Sequence, residues 1–349
     1  MKLRLQSVLL GICILCCFAL SACAKVPEKS KYTTYSLDYF DTVTTIAGYA
    51  DSQEEFDRVA QDILSQLADY HKLYSIYHRF EGMENLCTVN ELVDGAHRTV
   101  EVDRRIIDLL LYAKQMYELT DGMTNIAMGS VLSLWHDYRT LGRDDPATAA
   151  LPPMKSLEKA ALHIDIDAMV IDEENGTVTL TDPEMKLDVG AVAKGYAIER
   201  IALALEEQGI TGYVLNIGGN VRTIGAKADG SPWTVGIEDG DTGDYLCYLH
   251  LRGQSVVTSG SYQRYYIVDG ERYHHIIHPD TLMPAQGYQS VSVVCVDSGL
   301  GDALSTALFC MTQKEGLALI ESLDGVEAMW VSEEGVQTVS SGWNAHLKQ

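Results

Sequence analysis

The sequence predicts an α+β protein in which mixed, mostly antiparallel sheets pack against helices. Amphipathic helix patterns and short strand patterns both recur along the 349 residues. They do not alternate in the regular strand–helix–strand order of a doubly wound sheet. The pair Asp269-Gly270 between two strand patterns is typical of an antiparallel two-residue hairpin. Hydrophobic residues form 46% of the chain and charged residues 21%, which excludes a disordered or collagen-like protein.

The N-terminal residues have the pattern of a lipoprotein signal. Lys2 and Arg4 precede an apolar stretch over residues 8–20, which is too short for a typical membrane-spanning helix. Two small residues then stand directly before Cys23. This pattern predicts that residues 1–22 are a signal peptide and that Cys23 carries lipid, which would anchor the protein to the extracytoplasmic face of the cell membrane. An ordinary secretory signal with a cysteine at this position is the alternative.

The chain after the signal begins with a predicted tether, one strand and two helices. Residues 23–34 are mostly polar and contain a proline, which is typical of a tether, and the folded domain is expected over 35–345. Ser52 and Asp103 are N-cap residues that precede apolar residues at helical spacing. The predicted elements are a strand over 37–50, helices over 52–75 and 103–119, and a surface excursion over 136–160.

The second half mixes strands with two further helices. Gly209 follows an apolar helical pattern and is a favourable residue just beyond a helix end. No internal repeat or clear interdomain linker is visible in the sequence. The predicted elements are strands over 168–171, 177–180, 213–217, 265–268, 272–277 and 290–296, and helices over about 191–208 and 302–311.

Charge, cysteine spacing and missing motifs exclude several classes of function. The formal net charge of -23 would repel a phosphate backbone, so we do not expect the protein to bind nucleic acid. The four cysteines outside the predicted signal region show no CxxC spacing, which removes support for zinc or thioredoxin chemistry; they are Cys87, Cys247, Cys295 and Cys310. The sequence also lacks the glycine-rich phosphate loops of Rossmann and P-loop proteins and the GxSxG motif of α/β-hydrolases.

Residues 187–195 form the first candidate site. Asp188, a run of small residues and Lys194 precede a predicted helix. Small residues let a ligand approach the backbone, and the amide groups at a helix start together with a lysine favour phosphate. A strand–helix turn whose small residues serve packing alone is the alternative. The pair Gly218-Gly219, at the end of another predicted strand, is by its spacing most simply a turn.

Asp302 and Thr306 form the second candidate site. They are four residues apart at the predicted start of a helix, so they share one helix face. Their oxygen atoms suit Mg²⁺, which takes few protein ligands and completes its shell with water and phosphate. On the spacing alone, a plain N-cap role for Asp302 with Thr306 in the core is the simpler interpretation.

Three histidines within five residues, His274, His275 and His278, suggest metal binding or proton transfer. Adjacent residues of a strand point to opposite faces of the sheet, so His274 and His275 are not expected to share a site. We therefore expect one of the three histidines in a site and two at the surface.

Together these segments resemble the ApbE family of FAD:protein FMN transferases over about residues 38–330. The resemblance implies an ApbE-like fold with FAD and Mg²⁺ as ligands. It also implies transfer of FMN from FAD to a Thr or Ser hydroxyl of an acceptor flavoprotein, with release of AMP. The motifs that carry it are FDT at 40–42, YSIY at 74–77, GSVLSLW at 129–135, DVGAVAKG at 188–195, NIGGN at 216–220, TSG at 258–260, HIIHP at 275–279 and DALST at 302–306.

The resemblance also implies roles for single residues. Asp302, Thr306 and the backbone carbonyl of Ala191 are the implied Mg²⁺ ligands. Cys23 is the implied lipidation site, as expected for a lipoprotein member of the family. His275 is the implied catalytic residue, which would take the proton from the acceptor hydroxyl. The implied contacts to FAD are Phe40, Tyr77, Ala127, Met128, Gly129, Asp188, Lys194 and Ile276. An FAD pyrophosphatase, in which water accepts the FMN, and a non-catalytic flavin-binding lipoprotein are the alternatives.

Overall fold

The computed structural model describes residues 29–93 and 95–348 of the chain. The predicted signal peptide and Cys23 lie outside the described residues. The strands are β1 (Ser30–Tyr39), β2 (Thr42–Ala50), β3 (Leu92–Val93), β4 (Ala96–His97), β5 (Val100–Glu101), β6 (Met169–Asp172), β7 (Thr177–Leu180), β8 (Tyr213–Ile217), β9 (Asn220–Ile224), β10 (Trp233–Glu238), β11 (Tyr245–Leu251), β12 (Ser255–Gly260), β13 (Tyr265–Val268), β14 (Glu271–His274), β15 (Tyr288–Cys295), β16 (Glu327–Ser332) and β17 (Gln337–Val339). The helices are α1 (Gln53–Tyr74), α2 (Leu86–Val89), α3 (Arg104–Leu119), α4 (Gly129–Asp144), α5 (Met154–Ala160), α6 (Ala193–Glu207), α7 (Ser298–Cys310) and α8 (Gln313–Glu321).

An eight-stranded sheet lies at the centre of the fold. Its strands run in the order β1-β2-β8-β9-β12-β15-β16-β17, and each neighbouring pair in this order is antiparallel. Helices α6 and α7 pack against each other, and α7 also packs on β12 and β15. The predicted α+β class with mostly antiparallel sheets is confirmed. In the described part of the chain, none of the helices combines the length and hydropathy that crossing a membrane requires.

The N-terminal strand begins earlier than the sequence predicts. Residues 30–34, expected to be tether, belong to β1 and pair with β2 from Ser30↔Ala50 onward. The alternation of the segment explains this, because Tyr32 turns inward and its ring lies 5.6 Å from that of Phe56. The expectation of a tether is therefore wrong for these five residues. The segment 37–50, predicted as one strand, contains the end of β1, a turn and the whole of β2.

The turn of this hairpin has an unusual backbone. Phe40 and Asp41 join β1 to β2, and both have positive φ angles, of 54° and 52°. A two-residue turn of this kind normally carries Asn-Gly or another pair that tolerates the left-handed conformation. Here the Phe40 N–H donates to His71 Nδ1 at 3.2 Å, and the Arg264 guanidinium donates to the Phe40 carbonyl at 3.4 Å. These contacts hold a turn that the local sequence does not favour.

The first two predicted long helices are confirmed. Ser52 Oγ accepts from the Glu55 N–H at 3.2 Å at the start of α1, and Asp103 accepts from the Arg105 N–H at 2.9 Å at the start of α3. The segment predicted as a surface excursion over 136–160 is mostly exposed, but it is largely helical, because α4 continues to Asp144 and α5 follows. Apolar side chains dock this region: Leu157 is fully buried.

Helix α7 begins four residues before the predicted start, and this changes the role of Asp302. Asp297 is the N-cap, because its carboxylate accepts from the N–H groups of Gly299 and Leu300 at 2.7 and 3.2 Å. Asp302 therefore lies in the second turn, and the N-cap interpretation of this residue is wrong. Two glycines in the first turn, which are poor helix formers, concealed the true start. Gly301 allows the helix to approach the sheet, since a Cβ there would lie 2.8 Å from Val257 Cγ2.

Candidate functional site

The packing of α6 against α7 builds a carboxylate junction from Lys194, Gly195 and Asp302. The Asp302 side chain is buried, and its Oδ2 accepts from the backbone N–H of Gly195 at 2.8 Å. Lys194 Nζ lies 3.2 Å from Oδ1 and 3.4 Å from Oδ2. Gly195 is required for this approach, because a Cβ there would lie 2.3 Å from the backbone oxygen of Ser298. The structure thus brings together two of the residues that the sequence singled out, Lys194 and Asp302.

The residues of the carboxylate junction fit a divalent cation. Gly195 is the third residue of α6, so its N–H has no acceptor within the helix and donates to Asp302 instead. Ala191 precedes the N-cap Val192, whose carbonyl accepts the first helical hydrogen bond, from the Tyr196 N–H, so the Ala191 carbonyl lies outside the helical ladder. Thr306 lies one turn after Asp302 and its Oγ1 is 3.3 Å from the Asp302 carbonyl. A carboxylate, a carbonyl and a hydroxyl are hard oxygen donors of the kind that Mg²⁺ prefers, and the Lys194 ammonium already places a positive charge against this carboxylate.

His275 lies next to the carboxylate junction and is surrounded by positive charge. Its Nδ1 is buried and has no hydrogen-bond partner among residues 29–93 and 95–348. Burial, together with the positive charges of Arg264, Arg139 and Lys194, lowers the pKa of this imidazole to about 3. The ring is therefore neutral at pH 7. Its free nitrogen is available to bind a proton or a ligand.

Two arginines complete a charge cluster that we define as Tyr77, His136, Arg139, Asp188, Arg264 and His275. Arg139 projects from α4 and is half-buried, with one guanidinium nitrogen 3.2 Å from His136 Nδ1. Arg264 directly precedes β13 and is exposed. The sequence analysis missed both arginines. They lie far apart along the chain, and each on its own looks like an ordinary surface cation.

Tyr77 forms the aromatic edge of the charge cluster. Its ring stacks on that of His136, with the ring centroids 4.8 Å apart, and half of its surface is exposed. Burial of the hydroxyl, with a contribution from the Asp188 carboxylate, raises the pKa of Tyr77 to about 12. Phe40 lies near the same cluster through its carbonyl, which accepts from Arg264. Both predicted aromatic residues are thus placed beside the arginines, and Tyr77 presents an open ring face.

Asp188 anchors the loop over residues 125–129 to the same region. The Asp188 N–H donates to the carbonyl of Ile126 at 2.8 Å, and its Oδ1 accepts from the Gly190 N–H at 2.9 Å. Burial raises the pKa of the Asp188 carboxyl, and the Gly190 N–H and the charges of His136 and Arg139 oppose that rise. Gly129 is required where it stands, because a Cβ there would lie 2.5 Å from the Lys186 carbonyl oxygen.

Three of the predicted FAD contacts have side chains in the core. Ala127, Met128 and Ile276 are 0%, 3% and 5% exposed and belong to hydrophobic clusters. Their side chains therefore serve packing, and a ligand contact at these positions would come through the backbone.

The histidines separate as the strand geometry predicts, with one correction. His274 and His275 point to opposite sides, and only His275 faces the arginines. His274 was expected at the surface, and this is wrong: it is buried, with Nε2 2.7 Å from the Ala285 carbonyl and its ring against Phe309. His278 accepts from the Asp280 N–H in a turn. The apolar neighbours of His274 come from α7, which strand alternation alone cannot reveal.

The arrangement of these side chains defines a class of protein. Cationic side chains near an oxygen-donor cation site, on an α+β fold, are typical of proteins that bind phosphorylated ligands. Comparison with known families then matches residues 33–330 to the ApbE family. The chain belongs to the ApbE family.

Individual relatives agree with this assignment. The chain is 32% identical over 281 residues to an FAD:protein FMN transferase of Klebsiella pneumoniae, covering 75% of this chain and 85% of the relative. It is 34% identical over 259 residues to an FAD:protein FMN transferase of Treponema pallidum, covering 70% of each. Among solved structures, the ApbE protein of Thermotoga maritima superposes with a TM-score of 0.79 at 30% identity, covering 92% of this chain and all of that chain.

Proposed function

We propose that the protein is an FAD:protein FMN transferase that uses Mg²⁺ and modifies a Thr or Ser hydroxyl of an acceptor flavoprotein. The observation that carries the proposal is the position of the buried Asp302 carboxylate. It lies between a backbone N–H and the Lys194 ammonium, and the positive charges of this lysine and of two arginines act on His275. Membership of the ApbE family and the names of the relatives support the same reaction.

Asp302, Thr306 and the Ala191 carbonyl would hold the cation in the proposed enzyme. Mg²⁺ bound there would offset the negative charge that develops on the phosphoryl oxygens. Lys194, Arg139 and Arg264 would bind the diphosphate of FAD. These local cations are needed because the chain as a whole carries a formal net charge of -23.

His275 would accept the proton of the acceptor hydroxyl. The hydroxyl oxygen forms a bond to the phosphorus of the FMN moiety, the phosphoanhydride bond breaks, and AMP leaves with the bridging oxygen. A pKa of about 3 makes the free imidazole a weak base. The bound diphosphate would offset the charges of Arg139, Arg264 and Lys194, and so raise the pKa of His275 toward neutrality.

The experiment that tests the proposal measures both products. The folded chain from residue 24 onward is incubated with FAD, Mg²⁺ and a candidate acceptor, and the acceptor mass is read beside AMP by chromatography. We expect an acceptor mass increase equal to one FMN, with one AMP for each modified acceptor. Free FMN in amounts equal to AMP, with unmodified acceptors, would establish an FAD pyrophosphatase instead. Intact FAD without AMP would leave a flavin-binding protein.

We also propose that Cys23 carries the lipid that anchors the enzyme to the outer face of the cell membrane. The support is the sequence pattern before this residue. Cys23→Ala is expected to move the protein from the membrane fraction to a soluble or unprocessed form. An unchanged membrane fraction at the processed size would contradict the anchor.

A further inference from the structure

A buried ion pair lies behind the carboxylate junction. Arg222 of β9 is 1% exposed and Glu199 of α6 is 3% exposed. Arg222 Nε donates to Glu199 Oε2 at 3.0 Å, and its Nη2 donates to Oε1 at 3.2 Å. The second acidic partner, Glu206, lies 3.3 Å from Arg222 and is one-third exposed. Taking two charges out of water is costly, so a pair this deep calls for a reason beyond plain stability.

Glu199 makes a further contact that reaches the helix of the proposed metal ligands. Its Oε2 also accepts from the backbone N–H of Ser298 at 2.8 Å, and Ser298 is the first residue of α7. The first N–H groups of a helix have no partner within the helix, and a carboxylate there is also favoured by the helix dipole. Ser298 Oγ in turn donates to Asn220 Oδ1, which ties the same helix start to β9.

The two helices are therefore joined at two matched points. Gly195 of α6 contacts Asp302 of α7, and Glu199 of α6 contacts Ser298 of α7. The residues in each helix are four apart and in opposite order, so the contacts lie about one turn apart along an antiparallel pair. A shift of α7 at Ser298 therefore moves Asp302 relative to Gly195 and Lys194.

We propose that Glu199, fixed by Arg222, is a positioning residue that sets the place of the Asp302 carboxylate for cation binding. The inference rests on the proposed metal site and adds to it the group that holds the ligand-bearing helix. Glu199→Gln is the most conservative change, because the remaining oxygen can still accept from Arg222 Nε and the Ser298 N–H, whereas the NH₂ group replaces the acceptor of Arg222 Nη2. The variant thus loses the two-point contact with Arg222 and the negative charge at the start of α7.

The test measures the affinity of the purified protein for Mn²⁺ in the absence of FAD. Binding is monitored by electron paramagnetic resonance of the metal. We expect Glu199→Gln to weaken Mn²⁺ binding by about tenfold, as is usual when a group that orients a metal ligand is changed. The apparent KM for Mg²⁺ rises with it, and the KM for FAD changes by less than about twofold. The matched control is Glu206→Gln, which removes a carboxylate from the same helix and the same arginine, but whose side chain makes no hydrogen bond or ion pair with α7 in the described part of the chain. Its Mn²⁺ binding stays within about twofold of the wild type, because a partly exposed ion pair contributes little.

Several outcomes overturn the proposal. If folded Glu199→Gln binds Mn²⁺ as tightly as Glu206→Gln and the wild type do, Glu199 is not a positioning residue. The assignment of Asp302 as a metal ligand would still stand. Wild-type Mn²⁺ binding that is unaffected by Asp302→Ala overturns it together with the metal assignment. If Glu199→Gln does not fold, the double variant Glu199→Met with Arg222→Met replaces the pair by apolar groups of similar length, which proteins often tolerate. That folded variant is expected to bind Mn²⁺ weakly, and wild-type affinity would overturn the proposal.

Discussion

The carboxylate junction and the charge cluster lie side by side but are built in different ways. Asp302 is buried, and the protein itself supplies its hydrogen-bond donors. Tyr77 and Arg264 are exposed, and in the described part of the chain the Arg264 guanidinium makes one hydrogen bond, to the Phe40 carbonyl. The first region is organised before a ligand arrives, whereas the second leaves its charges and an aromatic face open to one. From this difference we expect the junction, together with His275, to determine the rate of the reaction. We expect Tyr77, Arg139 and Arg264 to determine the affinity for FAD.

The largest expected effect comes from the junction. Asp302→Ala removes the proposed metal ligand and leaves Lys194 without its carboxylate, so metal-dependent turnover should fall at least about a hundredfold. The matched control is Asp297→Ala on the same helix, which loses the N-cap and should cost about 1 kcal/mol of stability. Turnover at saturating Mg²⁺ and thermal unfolding are measured for both. Near-normal turnover of Asp302→Ala would show that the metal assignment is wrong.

Changes in the charge cluster are expected to have a smaller effect, which is a rise in the KM for FAD. The size of this rise should differ between Arg139 and Arg264. Arg139→Met removes a half-buried guanidinium and should raise the KM for FAD about tenfold. Arg264→Met removes an exposed one and should raise it about two- to threefold, with a strong dependence on salt. Arg104→Met, whose guanidinium pairs with Asp108, serves as the control for a lost surface cation. Steady-state kinetics measure both parameters. A change in kcat rather than in the KM for FAD in both arginine variants would contradict the assignment of these arginines to FAD binding.

The smallest effect is on the pH dependence of stability, and it comes from His275. The unfolded chain binds a proton on this imidazole near its ordinary pKa of about 6.5, whereas the folded protein binds it only near pH 3. Between these values the unfolded state holds more protons, so stability falls as the pH is lowered from about 6.5 toward 3. His274, whose pKa burial also lowers, adds a slope of the same sign. Urea unfolding at pH 7, 5 and 4 should show a weaker pH dependence in His275→Gln, and an unchanged slope would contradict the lowered pKa.

Local signals in the sequence predicted much of the fold. Ser52 and Asp103 cap the helices that they were expected to cap, and Asp269-Gly270 forms the predicted turn with φ angles of 51° and 88°. Each of these features depends on a few neighbouring residues, which is the range over which capping and turn chemistry act.

The errors arose where tertiary contacts decide the structure. Ser30 to Thr34 are polar by composition, yet β2 provides a partner strand for them. The start of α7 was hidden because Gly299 and Gly301 are poor helix formers that are required by close packing.

The candidate site likewise contains residues that the sequence indicated and residues that only the folded structure reveals. The family resemblance drew attention to Asp302, Lys194 and His275, and the structure places all three in one region. Arg139 and Arg264 could not be predicted, because α4 and β13 come together only in the folded chain.

At the strained turn formed by Phe40 and Asp41, the amino acids that would best stabilise the fold differ from those proposed to serve FAD binding. Left-handed backbone at non-glycine residues costs of order 1–3 kcal/mol each. A selection for heat resistance alone would therefore favour Asn-Gly at these two positions. That replacement would remove the aromatic ring that the family resemblance places against FAD. The stability of the hairpin and the proposed FAD contact of Phe40 therefore favour different amino acids at this turn.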